Sequence, residues 1–222
     1  MLVGHFAVGL LAKRAVPSVS VGTFVLAAML SDLLFFVFLM AGIEQAQVGR
    51  GGLIAQNIAW SHGLVTGALW AALFAAGFFL WRRYRPGAWA LFAAVLSHWL
   101  LDFVSHKPDM PLVPGTDLRL GLGLWNSLPA TLIVEGGLWI AAVILYSRAT
   151  HAKSWAGILC FWAAVVLLTL AWLNNIAGPP PASSSFALQG LLFFSVMVAW
   201  FYLVNRLRPA VVPASKAAQI ST

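Results

Sequence analysis

The sequence predicts an all-α polytopic membrane protein, a bundle of about six transmembrane helices plus a short N-terminal helix. Three observations carry this. Hydrophobic residues make up 61% of the 222 and charged residues only 9%, at a mean hydropathy of +0.89, whereas soluble domains are about a quarter charged. The apolar residues fall into seven segments, and six of them approach the roughly 20 residues that a helix needs to cross a bilayer. Eleven Trp residues, several near segment ends (Trp60, Trp81, Trp125, Trp155), suit an interfacial aromatic belt.

The first segment, Leu2 to about Leu11, ends in Lys13-Arg14 before Pro17 and is too short to span. It is expected to be a short helix inside the bundle or an element on the membrane surface. It lacks a basic leader and contains His5, so a cleavable signal peptide is not expected. Val19–Ile43 is long enough to span and carries Asp32, and Glu44–Ile58 reads as a polar, Gly-containing connection. Trp60–Trp81 spans and stops at Arg82-Arg83-Tyr84-Arg85-Pro86. Gly87–His106 spans next, followed by a Pro- and Gly-rich loop over Lys107–Trp125. Ser127–Tyr146, Ser154–Leu173 and Phe186–Val204 complete the spans. The stretch 178–185, with three consecutive prolines, cannot be helical throughout. One membrane domain over 1–208 is therefore expected, with a small, polar, disordered tail from Pro209 onward.

Basic residues orient the bundle. If segments alternate, Lys13, Arg14, Arg82, Arg83, Arg85, Arg148, Lys153, Arg206, Arg208 and Lys216 share one side, and only Arg50, Lys107 and Arg119 lie on the other. The first side, with the C-terminus, is expected to be cytoplasmic. The net charge of +7 comes in these short clusters between apolar runs, so it argues for membrane orientation and against a nucleic-acid partner. Cys160 is the sole cysteine, which excludes an intrachain disulfide.

The most informative stretch is Ser97-His98-Trp-Leu-Leu-Asp102-Phe-Val-Ser-His106. On a helix, His98, Asp102 and His106 follow at i, i+4 and i+8 along one face. An ionised Asp at membrane depth costs about 2.5–3.5 kcal/mol and calls for a partner. His5, His62, His98, His106, Asp32 and Asp102 all fall at positions compatible with the non-cytoplasmic side. Imidazole and carboxylate together suit a divalent metal, zinc first and then manganese or iron. His98 and His106 lie about 12 Å apart along a helix, too far to share one ion. His98 and Asp102 are therefore assigned to the metal, and His106 to a second ion, a proton-transfer role or the loop. In a straight Val19–Ile43 helix Asp32 would lie about 16 Å below the outer end, so either a break after Asp32, the favoured reading, or a site in a water-filled cavity is expected.

Gly4-His5, Ser31-Asp32, Ser61-His62 and Ser97-His98-x-x-x-Asp102 form an ordered set. This set resembles the inner-membrane-associated metal-dependent hydrolase family, also described as LexA-binding, over roughly residues 2–110. Family members show GH near the N-terminus, a PD-type motif closing the second helix, an HRGxTHS-like motif before the third and SHxxxD on the fourth. The resemblance implies His5, Asp32, His62, His98 and Asp102 as metal ligands in a membrane-bound hydrolase. Two departures stand out: Ser31 where the family often has Pro, and Trp60-Ser61-His62-Gly63 as a reduced HRGxTHS pattern.

Metal-assisted hydrolysis of an ester or phosphoester is the expected reaction, with Asp102 or Asp32 ligating or taking a proton from water. Access from the lipid bilayer points to a lipid or small-molecule ester as substrate. The alternatives are a proton- or metal-ion-conducting transporter and a non-catalytic regulatory membrane protein. A transport path needs polar groups through the full thickness, and the later spans carry few besides Glu135, Gln189 and Ser195. The bland readings are a structural i, i+4 hydrogen bond for His98–Asp102, a cap or buried ion pair for Asp32, an interfacial His62 beside the N-cap-like Ser61, and an interhelical hydrogen bond for Glu135.

Overall fold

The computed structural model describes residues 1–49, 52–177 and 185–211. They form an all-α membrane helix bundle. Five helices are long and apolar enough to cross a membrane: α5 (Leu64–Arg82), α6 (Arg85–Ser105), α7 (Leu128–Ala149), α8 (Trp155–Ala177) and α9 (Phe186–Leu207). A sixth span is counted if α2 (Val21–Ala28) and α3 (Leu30–Met40), bent by 52° at Met29, cross together. The sequence marks these helices by unbroken apolar runs, because lipid leaves backbone N–H and C=O groups no partners outside the helix.

Helix α1 (Leu2–Ala15) has 14 residues, about 21 Å of rise, short of the roughly 30 Å hydrocarbon core. It lies inside the bundle against α2, α6 and α7. Val3, Phe6, Ala7 and Leu10 are fully buried, which is why this helix is apolar almost all round. Gly9 permits the approach to α2: a Cβ there would lie 2.7 Å from Val25 Cγ2 and 3.1 Å from its Cα. At the other end Lys13 Nζ donates to Pro17 O (2.6 Å) and Val19 O (2.9 Å), closing the turn into α2. A cation there also complements the C-terminal end of the α1 dipole.

The break expected after Asp32 falls three residues before it. Helix α2, capped by Ser20 accepting from Gly22 N–H, ends at Ala28, and Met29 (φ −96°, ψ 4°) separates it from α3. Asp32 thus sits in the first turn of α3, where the helix dipole favours a carboxylate. The Glu44–Ile58 connection contains an antiparallel hairpin of β1 (Gln45–Gly49) and β2 (Gly52–Asn57).

The third apolar run does not start as one helix. A single turn, α4 (Ala59–His62), is set off from α5 by Gly63, whose ψ of 145° is extended. A Cβ on Gly63 would lie 2.4 Å from Ala59 O and 2.6 Å from Thr66 Oγ1. Thr66 Oγ1 in turn donates to Ala59 O at 2.6 Å, tying the two pieces together. Gly63→Ala is therefore expected to displace the α4 turn and the His62 side chain, costing about 1–3 kcal/mol as an overpacking change. Thermal unfolding in detergent checks the cost, and unchanged stability would count against the hinge.

Helix α5 ends at Arg83, in left-handed conformation (φ 51°), and Pro86 sits in the first turn of α6, a position that needs no N–H donor. The loop after α6 is anchored to the helix ends. Trp99 Nε1 donates to Pro111 O (3.0 Å), Val65 N to Leu112 O (3.1 Å) and Gly123 N to His106 O (2.7 Å). Two short strands, β3 (Met110–Pro111) and β4 (Arg119–Leu120), pair within it. Helix α7 carries a π turn over Leu132–Gly136 that contains the fully buried Glu135.

The main core joins α1, α2, α7, α8 and α9 through Phe6, Tyr146, Phe161, Phe194, Phe201 and their neighbours. A second, smaller core joins α2, α5 and α6 through Phe24, Ala71, Leu91 and Val95. The chain remains paired past the expected boundary at 208: Val211 N donates to Ala149 O (2.9 Å) and His151 N to Pro209 O (3.1 Å). The rest of the expected tail, 212–222, and residues 178–184 of the Pro-rich connection lie outside the described residues.

Candidate metal centre

Four elements converge on one buried cluster. His5 comes from α1, Asp32 from the first turn of α3, His62 from the α4 turn, and His98 and Asp102 from successive turns of α6. His5, His62, His98 and Asp102 are buried, whereas the Asp32 side chain is 20% exposed and forms the open edge of the cluster. The bend at Met29 and the hinge at Gly63 bring Asp32 and His62 to the level of His98.

The distances bring all five residues together. His98 Nε2 lies 3.2 Å from Asp102 Oδ2 and 3.6 Å from Asp32 Oδ1. His62 Nε2 lies 3.4 Å from Asp32 Oδ1 and 3.8 Å from Asp102 Oδ2. His5 Nε2 is 3.1 Å from Asp102 Oδ1, and its ring stacks on that of His98 at 3.7 Å between centroids. The two oxygens of Asp102 thus face different ways, Oδ1 toward His5 and Oδ2 toward His62 and His98. Phe35 packs edge-on against His62 and closes one side.

Proton positions follow from the outer partners. His98 Nδ1 is 2.7 Å from Ala28 O, so that nitrogen carries hydrogen and donates. The break at Met29 is what makes this carbonyl, among the last of α2, available for a side chain. The other ring nitrogen, His98 Nε2, is buried without a hydrogen-bond partner, although two carboxylates lie within 4 Å. In neutral His98 this is a lone pair aimed at two acceptors, which is unfavourable unless a cation lies between them. The Met1 amino group supplies positive charge on the opposite side, against Asp102 Oδ1 and 3.1 Å from His5 Nε2.

These donors fit a divalent metal. His5, Asp32 and His98 form one group, and His62, His98 and Asp102 a second, with the ligand atoms of each within 4.8 Å of one another. Imidazole nitrogen and carboxylate oxygen are the donor types that zinc, manganese and iron accept.

His106 lies apart from the cluster. It pairs with Asp109 (3.0 Å) and stacks on Trp125 at 4.7 Å, at the base of the loop after α6. Glu135 accepts from Gly4 N (3.3 Å) and Trp125 Nε1 (3.4 Å), so it pins the start of α1, and with it His5, to α7.

One participant escapes sequence reasoning. Glu44, which reads as the first residue of a polar connection, is 2% exposed. It accepts from Ser61 N through Oε1 (2.7 Å) and from Ser61 Oγ through Oε2 (2.7 Å). Burial raises the Glu44 carboxyl above its usual range, and the two Ser61 donors oppose that shift. The available signal was scarcity: Glu44 is one of six acidic residues in the chain. Comparison with known protein families, curated proteins and solved structures finds no match.

Proposed function

We propose that the cluster binds a divalent cation, zinc first and manganese second, and that the protein is a membrane-bound metal-dependent hydrolase of an ester or phosphoester, with lipids as the favoured substrate class. The observation that carries the metal is the partnerless Nε2 of buried His98 facing two carboxylates. Resemblance of the GH, SD, SHG and SHxxxD set to the hydrolase family supports the reaction. A bound cation supplies Lewis acidity, polarising a carbonyl or phosphoryl oxygen and acidifying water.

The protein's own groups then have distinct roles. His62, His98 and Asp102 would hold the cation. His5 Nε2 and the Met1 amino group flank Asp102 Oδ1, keeping the other oxygen turned inward. Asp32, at the open edge, is placed to accept a proton from an entering water. The exposed Trp60, on the α4 turn that carries His62, suits a substrate arriving from lipid. The positive-inside distribution orients this face away from the cytoplasm in a bacterial inner membrane.

Elemental analysis of detergent-purified protein tests the proposal, together with an esterase and phosphoesterase screen. About one or two equivalents of metal are expected, lost in His98→Ala, with hydrolysis lost in the same variant. Metal-free protein after reconstitution with zinc and manganese would overturn the proposal.

A further inference from the structure

The outer side of His62 is built with more polar groups than a structural histidine requires. Ser61 Oγ is 2.8 Å from His62 Nδ1, 2.7 Å from Glu44 Oε2 and 3.4 Å from Ile58 O. A serine hydroxyl has one proton, and the Glu44 carboxylate is its closest and strongest acceptor. With that proton committed to Glu44, Ser61 Oγ can meet His62 Nδ1 only by accepting from it. The hydrogen of neutral His62 is then on Nδ1, and the lone pair is on Nε2, which faces Asp32 Oδ1 and Asp102 Oδ2. This repeats by a different route what Ala28 O does for His98. Glu44 also takes the backbone N–H of Ser61, so the same carboxylate fixes the α4 turn that carries the imidazole.

We infer that Glu44 is a positioning residue which, relayed through Ser61, locks His62 in the Nδ1–H tautomer and so presents its Nε2 lone pair to a divalent cation. This rests on the metal reading above. A metal-ligating histidine commonly donates its second nitrogen to an acceptor, and loss of that acceptor typically lowers metal affinity about 10- to 100-fold. Here the acceptor is a hydroxyl whose direction is set by a carboxylate from the turn after α3. The relay is a polarity, and so it can be reversed without being removed.

Glu44→Gln performs that reversal. The amide oxygen keeps the acceptor for Ser61 N–H, while the amide nitrogen donates to Ser61 Oγ. The hydroxyl proton then turns to His62 Nδ1, and the imidazole hydrogen moves to Nε2, where it blocks ligation. Two measurements on the full-length protein in detergent test this. The first is zinc affinity by competition with a chromophoric chelator, for wild type, Glu44→Gln and Ser61→Ala. The second is the ¹⁵N spectrum of histidine-labelled metal-free protein, which separates the two tautomers by the shifts of the protonated and unprotonated nitrogens.

Glu44→Gln is expected to bind zinc about 10- to 100-fold more weakly and to show His62 switched to Nε2–H, with metal-free thermal stability close to wild type. Ser61→Ala, which removes the relay, is expected to weaken binding as well. Wild-type affinity in both variants, or a His62 signal unchanged by Glu44→Gln, would overturn the inference. If the wild type itself binds no zinc, the metal reading fails separately. The tautomer switch still decides whether Glu44 governs His62.

Discussion

Removing metal with a chelator is expected to lower the thermal stability of the wild-type protein and to leave Asp102→Ala unaffected. A ligand bound only by the folded state stabilises it by RT ln(1 + [L]/Kd), about 2.7 kcal/mol at a hundredfold excess over Kd. Asp102 faces His5 with one oxygen and His62 and His98 with the other, so its loss dismantles both sides of the centre at once. The measurement is the unfolding midpoint in detergent, with and without chelator, followed by titration with zinc. An equal drop in Asp102→Ala would place the metal elsewhere in the protein. No drop in either would remove the metal from the account.

The second large effect is expected away from the cluster. Phe6→Ala should destabilise the bundle by about 3–5 kcal/mol, the range for deleting a fully buried aromatic side chain. Phe6 is wholly buried in α1 and packs against Phe194 (6.3 Å between centroids) and Phe201 (5.9 Å), both on α9. It lies one residue from His5, so the cavity should loosen the helix that carries a ligand. Unfolding in a graded denaturing detergent gives the energy, and zinc affinity in the same variant gives the coupling. A loss under 1 kcal/mol would mean that α1 can settle into the gap and that its position is less constrained than its burial implies.

The spans were legible because lipid enforces apolar composition over a fixed length, and α5 through α9 all follow that rule. The His98–Asp102 pair was legible from i, i+4 spacing on a helix. What composition could not supply was the bending of the backbone. A break was expected after Asp32 because depth demanded one, yet it falls at Met29, where the new helix N-terminus favours the carboxylate that follows. Gly63 read as part of a helical run and of a reduced motif, although its extended backbone, with no room for a Cβ beside Ala59 O, is what sets the α4 turn off from α5. The role of Glu44 was hidden for another reason: Glu44 and Ser61 are 17 residues apart and joined by a hairpin. Proximity of that kind belongs to tertiary structure and leaves no periodicity in the chain. His106 shows the converse, since it has the spacing of a further ligand and ends beyond the last turn of α6, paired with Asp109.

The central position of α1 has a consequence for biogenesis. Ribosomes deliver a chain from its N-terminus, so α1 is made before α7, which with α2 and α6 encloses it. A 14-residue helix cannot hold itself across a bilayer in the meantime. The helix that carries His5 is thus walled in on its last side only when α7 follows, by which point every candidate ligand is already in the chain.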